Sequence, residues 1–241
     1  MQNHRFYAHP ATLHDEHFVL DIGETRHLRD VLRLTEGANV MVFDGQGNEY
    51  SCTVTEIRKN ETELLVLKQL DPTSPESPLD LTLAVAMLKG EKFDLIVQKA
   101  VELGVRHLIP LRTKRTDIKS KDSVKRVLRW RKIVHEASKQ SGRAFLMNVA
   151  DPIDYELFLS LTDVEQTTLF SERDGEALQK KVKDKKITAV VGPEGGWDDI
   201  EIAEAKSAGI SIVTLGGRVL RAETAAIAVA TILEHRFGDI H

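Results

Sequence analysis

Three segments that follow predicted strands carry the residues most suited to ligand binding. The strongest is Val191-Gly192-Pro193-Glu194-Gly195-Gly196-Trp197, the second runs from Leu215-Gly216-Gly217-Arg218 to Ala226, and the third is Leu169-Phe170-Ser171-Glu172. In open parallel α/β sheets, ligands bind beyond the carboxyl ends of the strands. Glycine lets backbone N–H and C=O groups approach such a ligand, because no Cβ stands in the way. The pattern therefore predicts a ligand site at this edge of a sheet.

The glycines match neither common phosphate-binding fingerprint. The sequence contains no Gly-x-Gly-x-x-Gly and no Gly-Lys-Ser/Thr motif, which disfavours a nucleotide-dependent oxidoreductase. Pro193 and Glu194 lie inside the strongest segment, and the predicted helix after it begins with Asp198-Asp199. The acidic residues and the proline make this loop a poor binding site for phosphate or another anion. We expect a cofactor held by backbone contacts to a base or sugar. A tight strand–helix turn, or close packing of the last helix, is the alternative.

Other catalytic chemistries have little support. His4, His9, His14 and His17 lack a helical i, i+4 carboxylate–histidine arrangement, so no metal site is expected. The single cysteine, Cys52, has no evident base, and no Gly-x-Ser-x-Gly elbow is present.

Positive charge is concentrated although the chain is acidic overall. The 33 Lys and Arg against 37 Asp and Glu give a net charge of −4, yet Arg112–Lys132 holds ten basic residues and two Asp. Arg26, Arg29 and Arg33 recur along one face of a predicted helix. Such clusters indicate a phosphate-binding surface, or a helix face that is merely solvated.

The helices and strands that would position these residues fall into two parts of the chain. A connector separates the parts, Asp71-Pro72-Thr73-Ser74-Pro75-Glu76-Ser77-Pro78, and its prolines disfavour helix and sheet. Before this connector, the patterns predict strands at Asn39–Asp44, Glu49–Ile57 and Glu63–Leu67 and a helix at Glu24–Arg33. This part reads as a small barrel-like domain.

The part after the connector alternates short apolar runs with helical patterns, which predicts an α/β domain with a mainly parallel sheet. The predicted strands are Leu81–Met87, His107–Leu111, Gln166–Phe170, Ile187–Val191 and Ser211–Leu215. The predicted helices are Lys92–Leu103, Ser123–Gln140, Asp154–Ser160, Gly175–Lys183, Asp198–Ala208 and Ala222–Phe237.

Length and composition fit a globular protein. The 241 residues, 41% hydrophobic and 29% charged, suit one large or two modest domains. No apolar run approaches the roughly 20 residues of a membrane span, and the first residues lack the apolar core of a secretory signal. One cysteine excludes an internal disulfide. We expect a cytoplasmic protein with no membrane contact.

Five motifs, in order along the chain, carry a resemblance. They are Arg5-Phe6 with His27-Leu28-x-x-Val31-Leu32-Arg33; Lys89-Gly90-Glu91-Lys92-Phe93 with Gln98-Lys99-x-x-Glu102-Leu103-Gly104-Val105; Glu136-Ala137-x-x-Gln140-Ser141-Gly142-Arg143; Val191–Gly196; and Leu215-Gly216-x-Arg218-Val219-Leu220-Arg221-x-Glu223-Thr224-Ala225. Together they resemble the ribosomal small-subunit RNA uridine-N3 methyltransferases of the SPOUT class. Trp197 and Ala222 depart conservatively from the family pattern.

The resemblance implies an N-terminal PUA-like RNA-binding barrel, residues 1–72, and a SPOUT methyltransferase domain, residues 73–241, with a trefoil knot in about 166–241. It further implies S-adenosylmethionine as methyl donor, a homodimer, and methylation of N3 of one uridine in 16S (small-subunit) ribosomal RNA, as naked RNA or in the assembled subunit. General topology rules disfavour knots, so periodicity alone predicts none.

Specific roles follow for named residues. The catalytic candidates are Glu194, as base or orienting acceptor, and Arg221 or Arg143, as charges that stabilise a deprotonated uracil or hold a phosphate. The cofactor-binding candidates are Phe170, Glu172, Gly192, Glu194, Gly195, Gly196, Leu215, Gly216, Leu220, Arg221, Thr224 and Ala225. The candidates for RNA contact are Arg5, Arg26, Arg29, Arg33, Arg112, Lys114 and Arg115.

Two other functions remain open. One is a SPOUT methyltransferase that acts on ribose 2′-hydroxyls or on transfer RNA, which a methyl group found on a sugar would indicate. The other is a noncatalytic RNA-binding assembly factor, which would give no binding heat with S-adenosylmethionine.

Overall fold

The computed structural model describes residues 4–116, 123–173, 175–178 and 185–241. The chain forms two compact units. The first comprises Met1–Glu76 with His135–Leu146, and the second comprises Ser77–Val134 with Met147–His241.

The first unit is built on a five-stranded half-barrel sheet. Its strands are β1 (Arg5–Tyr7), β2 (His17–Leu20), β3 (Asn39–Phe43), β4 (Glu49–Ile57) and β5 (Thr62–Leu70), in the order β1-β3-β4-β5-β2. β1 pairs with β3 in parallel, and the other pairs are antiparallel. The three strands expected from the sequence are present, and β1 and β2 are additional. These two are short, so they carry little periodic signal.

Alternating side chains of these strands fill one core, which includes Phe6, Phe18, Val42 and Leu64. Cys52 is fully buried in it, and burial raises the pKa of the thiol to about 12. A buried neutral thiol of this kind packs as a small apolar side chain and is a poor nucleophile.

The helix expected at Glu24–Arg33 is shorter in the structure. Helix α1 (Ile22–Arg26) begins earlier, after Asp21, whose carboxylate accepts the Glu24 backbone N–H. It continues as a π-helical turn over His27–Val31, and Arg33 has a positive φ of 54°. Arg33 therefore does not extend the helical face that carries Arg26 and Arg29.

The proline-rich segment is not a free connector. The Thr73 backbone N–H donates to Glu49 at 2.6 Å, and Glu76 pairs with Arg143. The expected boundary after residue 72 assigns His135–Leu146 to the second domain, whereas these residues belong to the first unit. There Arg5 donates to the Ser138 carbonyl at 2.8 Å, a contact over 133 positions that sequence patterns do not reveal.

The second unit is a parallel α/β domain, as the patterns predict. Its strands are β6 (Asp80–Ala86), β7 (His107–Arg112), β8 (Asn148–Val149), β9 (Ile153–Asp154), β10 (Thr167–Phe170), β11 (Lys186–Val191) and β12 (Ser211–Val213). Their order is β12-β10-β11-β6-β7-β8, with β9 also paired to β7, and all these pairs among described residues are parallel.

The helices alternate with these strands along the chain. They are α2 (Lys92–Glu102), α3 (Ser123–Ser141), α4 (Tyr155–Leu161), α5 (Asp199–Ser207) and α6 (Ala222–Phe237). The helix expected at Gly175–Lys183 is absent from 175–178, where Glu176 instead bridges to Val213; residues 179–183 lie outside the described residues. Residues 117–122 of the basic segment and Asp174 also lie outside them.

No helix in the described ranges has both the length and the apolar character needed to cross a bilayer. Over the same ranges, no group of three or more His, Cys, Asp or Glu side chains is placed to hold a metal ion.

Candidate functional site

Three strand ends meet at one edge of the second sheet. Phe170 at the end of β10 pairs in register with Val191 of β11 and with Val213 of β12. Because the three strands are parallel and end level, the segments that follow them leave the sheet side by side. These are the three segments that the sequence singled out.

A cavity of about 250 Å³ opens between these segments and α6. Ten of the twelve expected cofactor-binding residues line it: Phe170, Glu172, Gly192, Glu194, Gly195, Gly196, Leu215, Gly216, Leu220 and Ala225. Arg221 and Thr224 do not line it. Arg221 directly precedes α6, and both side chains are exposed.

Some lining residues were not expected from the sequence. They include Trp197, Thr214 and Val219, as well as Ala222 and Val229 of α6. Ala222 and Val229 lie three residues before and four residues after Ala225, so the three share one helix face. The spacing of four residues from Ala225 could therefore have identified Val229 as a lining residue from the sequence.

The protein itself favours glycine at three of the four loop positions. A Cβ on Gly192 would lie 2.8 Å from Trp197 Nε1, and one on Gly196, whose φ is +70°, would lie 2.6 Å from Glu172 Oε1. At Gly195 the nearest atoms are those of Arg115 at 3.5 Å, and at Gly216, with φ +128°, nothing lies within 4 Å. At Gly216 the positive φ itself favours glycine, whereas Gly195 is the position of the four where neither the backbone nor a close neighbour does.

The start of α5 fixes the end of the loop after β11. Asp198 caps the helix in a capping box, and buried Glu201 accepts the backbone N–H groups of Asp198 at 3.0 Å and Lys114 at 2.8 Å. The Ile200 backbone N–H, with a smaller contribution from the Arg115 guanidinium, holds the pKa of Asp198 below its usual value. This carboxylate stays ionised at neutral pH.

The catalytic candidates occupy different surroundings. Glu194 lines the cavity and forms an ion pair with Lys92 at the start of α2. Arg143 belongs to the first unit, is 4% exposed, and binds Glu76 through both Nε at 3.0 Å and Nη2 at 2.6 Å. This buried bidentate pair accounts for Arg143 without a role in chemistry.

Of the basic residues expected to contact RNA, some are paired with acidic residues and others have exposed side chains. Arg5 is largely buried, pairs with Glu49 at 2.7 Å and covers the Phe43 ring at 4.2 Å, so its interactions are internal. Arg112 pairs with Asp154 at 2.6 Å, and Arg29 pairs with Asp30 at 2.7 Å. The residues whose side chains remain exposed are Arg26, Arg33, Lys114 and Arg115.

Arg115 contacts the cavity loop directly. Its Nη1 donates to the Gly195 carbonyl at 2.9 Å, and its Nη2 lies 3.3 Å from Asp198 Oδ2. It thus joins the segment after β7 to the segment after β11.

Comparison with known proteins agrees with this architecture. Residues 75–234 match the model of an RNA methyltransferase domain, and residues 20–67 match that of an RNA methyltransferase PUA domain. Ribosomal RNA small subunit methyltransferase E of Synechocystis is 34% identical over 237 residues, which cover 95% of this chain and 77% of the relative. The Bacillus subtilis protein of the same name is 28% identical over 225 residues, 88% of each chain.

A solved structure is similar over its whole length. Ribosomal RNA small subunit methyltransferase E from Neisseria gonorrhoeae, bound to S-adenosyl methionine, matches with a TM-score of 0.90 and 34% identity and covers 100% of both chains. The match thus includes both compact units and the strand ends that form the cavity. The chain belongs to the ribosomal RNA small subunit methyltransferase E family.

Proposed function

We propose that this chain transfers the methyl group of S-adenosylmethionine to N3 of one uridine in small-subunit ribosomal RNA, in the cytoplasm. The observation that carries the proposal is the cavity at the carboxyl ends of β10, β11 and β12. It is supported by the full-length similarity to a family member with that cofactor bound. The choice of uridine N3 rests on the motif resemblance in the sequence.

The cavity residues suit S-adenosylmethionine. Leu215, Leu220 and Val229 offer apolar surface for the faces of an adenine ring. Because Gly195 and Gly216 have no side chain, the base or sugar can approach the backbone N–H groups of these two loops. Glu194 contributes negative charge to the lining, which favours a cationic sulfonium. This cofactor needs no phosphate-binding loop, which agrees with the poor fit of the loop after β11 to an anion.

The residues of the chain then have two tasks. When bound, S-adenosylmethionine supplies a methyl group already activated by its sulfonium. The protein has to hold the acceptor in line with that methyl group. It also has to take the proton that N3 carries at neutral pH. Glu194 is a carboxylate on the cavity wall, and we assign it the second task.

The remaining expectations belong to the same proposal. Exposed Arg26, Arg33 and Lys114 would contact RNA phosphates. The half-exposed apolar side chains of Ile227, Ala228 and Ile232 on α6 support a homodimer. The trefoil knot comes from the resemblance alone.

Mapping of ribosomal RNA by mass spectrometry tests the function. In a strain that lacks this chain, one uridine of the small-subunit RNA should lose a base methyl group completely. Purified protein with S-adenosylmethionine should restore it on isolated small subunits or on their RNA. A methyl group on a ribose, an unchanged methylation map, or no restoration would contradict the proposal.

The cofactor site has its own test. Gly195→Val should weaken S-adenosylmethionine binding at least about tenfold, equivalent to about 1.4 kcal/mol, because the added side chain narrows the cavity that Gly195 lines. Calorimetry measures the affinity. Gly217→Val is the matched control, since it adds the same side chain to open space in the neighbouring segment, at a residue that does not line the cavity. Equal affinities of the two variants would refute the assignment of Gly195.

A further inference from the structure

A second, smaller cavity lies at the same sheet edge. It has a volume of about 190 Å³ and is lined by Met87, Lys89, Arg115, Pro193, Glu194 and Gly195. Met87 and Lys89 follow β6, which pairs with β11 through Val85 and Val191, and Arg115 follows the next strand, β7. The carboxyl edge thus has two halves, the larger cavity at β12, β10 and β11 and the smaller one at β11, β6 and β7.

The walls of the smaller cavity combine apolar surface with charge. Met87 is 2% exposed and Pro193 is buried, whereas Lys89 and Arg115 supply two cations and Glu194 one carboxylate. The volume equals about six water molecules at liquid density, the size of a single-ring base rather than a whole nucleotide. A pyrimidine has apolar faces, which methionine sulfur packs well against, and a polar edge.

The two cavities share one wall. Pro193, Glu194 and Gly195 line both of them. A ligand in the smaller cavity therefore lies beside one in the larger cavity, along this shared segment. Arg115 holds the segment through the Gly195 carbonyl, and Lys92 holds the Glu194 carboxylate. Such fixed placement is what transfer between two bound reactants requires.

We propose that the smaller cavity binds the acceptor pyrimidine and that Lys89 and Arg115 stabilise the anion formed at its N3, an inference that rests on the proposed function. The N3 proton passes to Glu194 and then to water. The N3 electron pair forms the bond to the methyl carbon, and the carbon–sulfur bond breaks with its pair left on sulfur. Cations fixed beside the developing charge lower the barrier, because they need no reorganisation.

This assignment replaces the cations expected from the sequence for the same task. Neither Arg143 nor Arg221 lines either of the two cavities. Lys89 and Arg115 line the smaller one. Arg115 is then expected to contact the base itself and not a phosphate of the RNA backbone.

The experiment compares Lys89→Met, Arg115→Met and a control, Lys206→Met, which removes the same charge from an exposed site in the last turn of α5. The acceptors are small ribosomal subunits from the strain that lacks this chain, grown with or without 5-fluorouracil. Fluorine at C5 makes N3–H more acidic. The methyl-transfer rate is measured across pH, and calorimetry measures the affinity for S-adenosylmethionine.

At neutral pH each cavity variant should lose about 10²-fold in kcat/KM, the usual size of such a loss. The deficit should shrink as pH rises, because N3 then ionises without help, and 5-fluorouridine should reduce it at neutral pH. The affinity of Lys89→Met for the cofactor and the activity of Lys206→Met should match those of the unmodified protein.

Three results would overturn the inference. A deficit that is equal at every pH and is not rescued by fluorine would mean that the cations contact phosphate only. Weakened cofactor binding by Lys89→Met would place this cation in the donor site, and unchanged rates of both variants would give the two cations no role. Failure of the unmodified protein to methylate any acceptor would instead refute the proposed function.

Discussion

Glu194→Gln should lower the rate of methyl transfer at least about 10²-fold, because general base catalysis contributes factors of this size. Glu194 lines both cavities, so under the proposed function its carboxylate lies beside both donor and acceptor. Glutamine keeps the shape of the side chain but cannot take up the N3 proton. The loss should therefore fall on kcat more than on the affinity for S-adenosylmethionine.

Single-turnover rates of the variant and of the unmodified protein measure this effect. Stability provides the control. The Lys92–Glu194 pair is partly exposed, with side-chain exposures of 43% and 34%, so its loss costs under about 1 kcal/mol. Lys92→Met breaks the same pair and keeps the carboxylate, and we expect a much smaller loss of rate. If both variants lose the same fraction of the methyl-transfer rate, Glu194 acts through the ion pair and is not a base.

Trp197→Ala should lower the free energy of unfolding by about 3–5 kcal/mol, the usual cost of truncating a buried Trp. Trp197 is fully buried, its ring centroid lies 5.3 Å from that of Tyr155, and Nε1 donates to the Phe170 carbonyl at 2.9 Å. The truncation leaves a void beneath the loop after β11 and an unpaired carbonyl at the end of β10. Cofactor affinity should fall as well, because Trp197 lines the larger cavity.

Urea denaturation followed by circular dichroism measures the change. Trp197→Phe should cost less, because it keeps most of the apolar contact and loses chiefly one hydrogen bond, worth about 1 kcal/mol. Leu157→Ala on α4, at a side chain that is 49% exposed, should change stability by less than about 0.5 kcal/mol. A Trp197→Ala protein as stable as Leu157→Ala would show that the ring does not support the loop.

Much of the second unit was predictable from local patterns. Lys186–Val191 and Thr167–Phe170 are short runs rich in apolar or β-branched residues and are ended by glycine or polar residues, a length and composition that favour buried strands. Asp198, followed three residues later by Glu201, is a capping signature that fixes the start of α5. The sequence alone thus determined the strand ends, most of the helices and the family motifs.

Local patterns were less informative in the first unit. β1 and β2 are three and four residues long, too short for periodicity to identify. The end of α1 depends on a π-helical turn, which no propensity rule signals. The assignment of His135–Leu146 to this unit depends on side chains such as Lys139, which pairs with Glu24.

Only the tertiary structure decided which residues serve the site. Arg143 and Glu76 are 67 positions apart, and Arg5 and Glu49 are 44 apart, so no spacing rule reveals that these arginines are already paired. Gly192 and Gly195 look alike in the sequence, but only Gly192 faces the Trp197 ring.

The two cavities exist because the strand order β12-β10-β11-β6-β7 departs from the chain order and brings separate strand ends level. A sequence determines local conformation through neighbours along the chain. Burial, ion pairing and cavity shape depend on partners brought together by the hydrogen-bond register between distant strands, and only the folded chain sets that register.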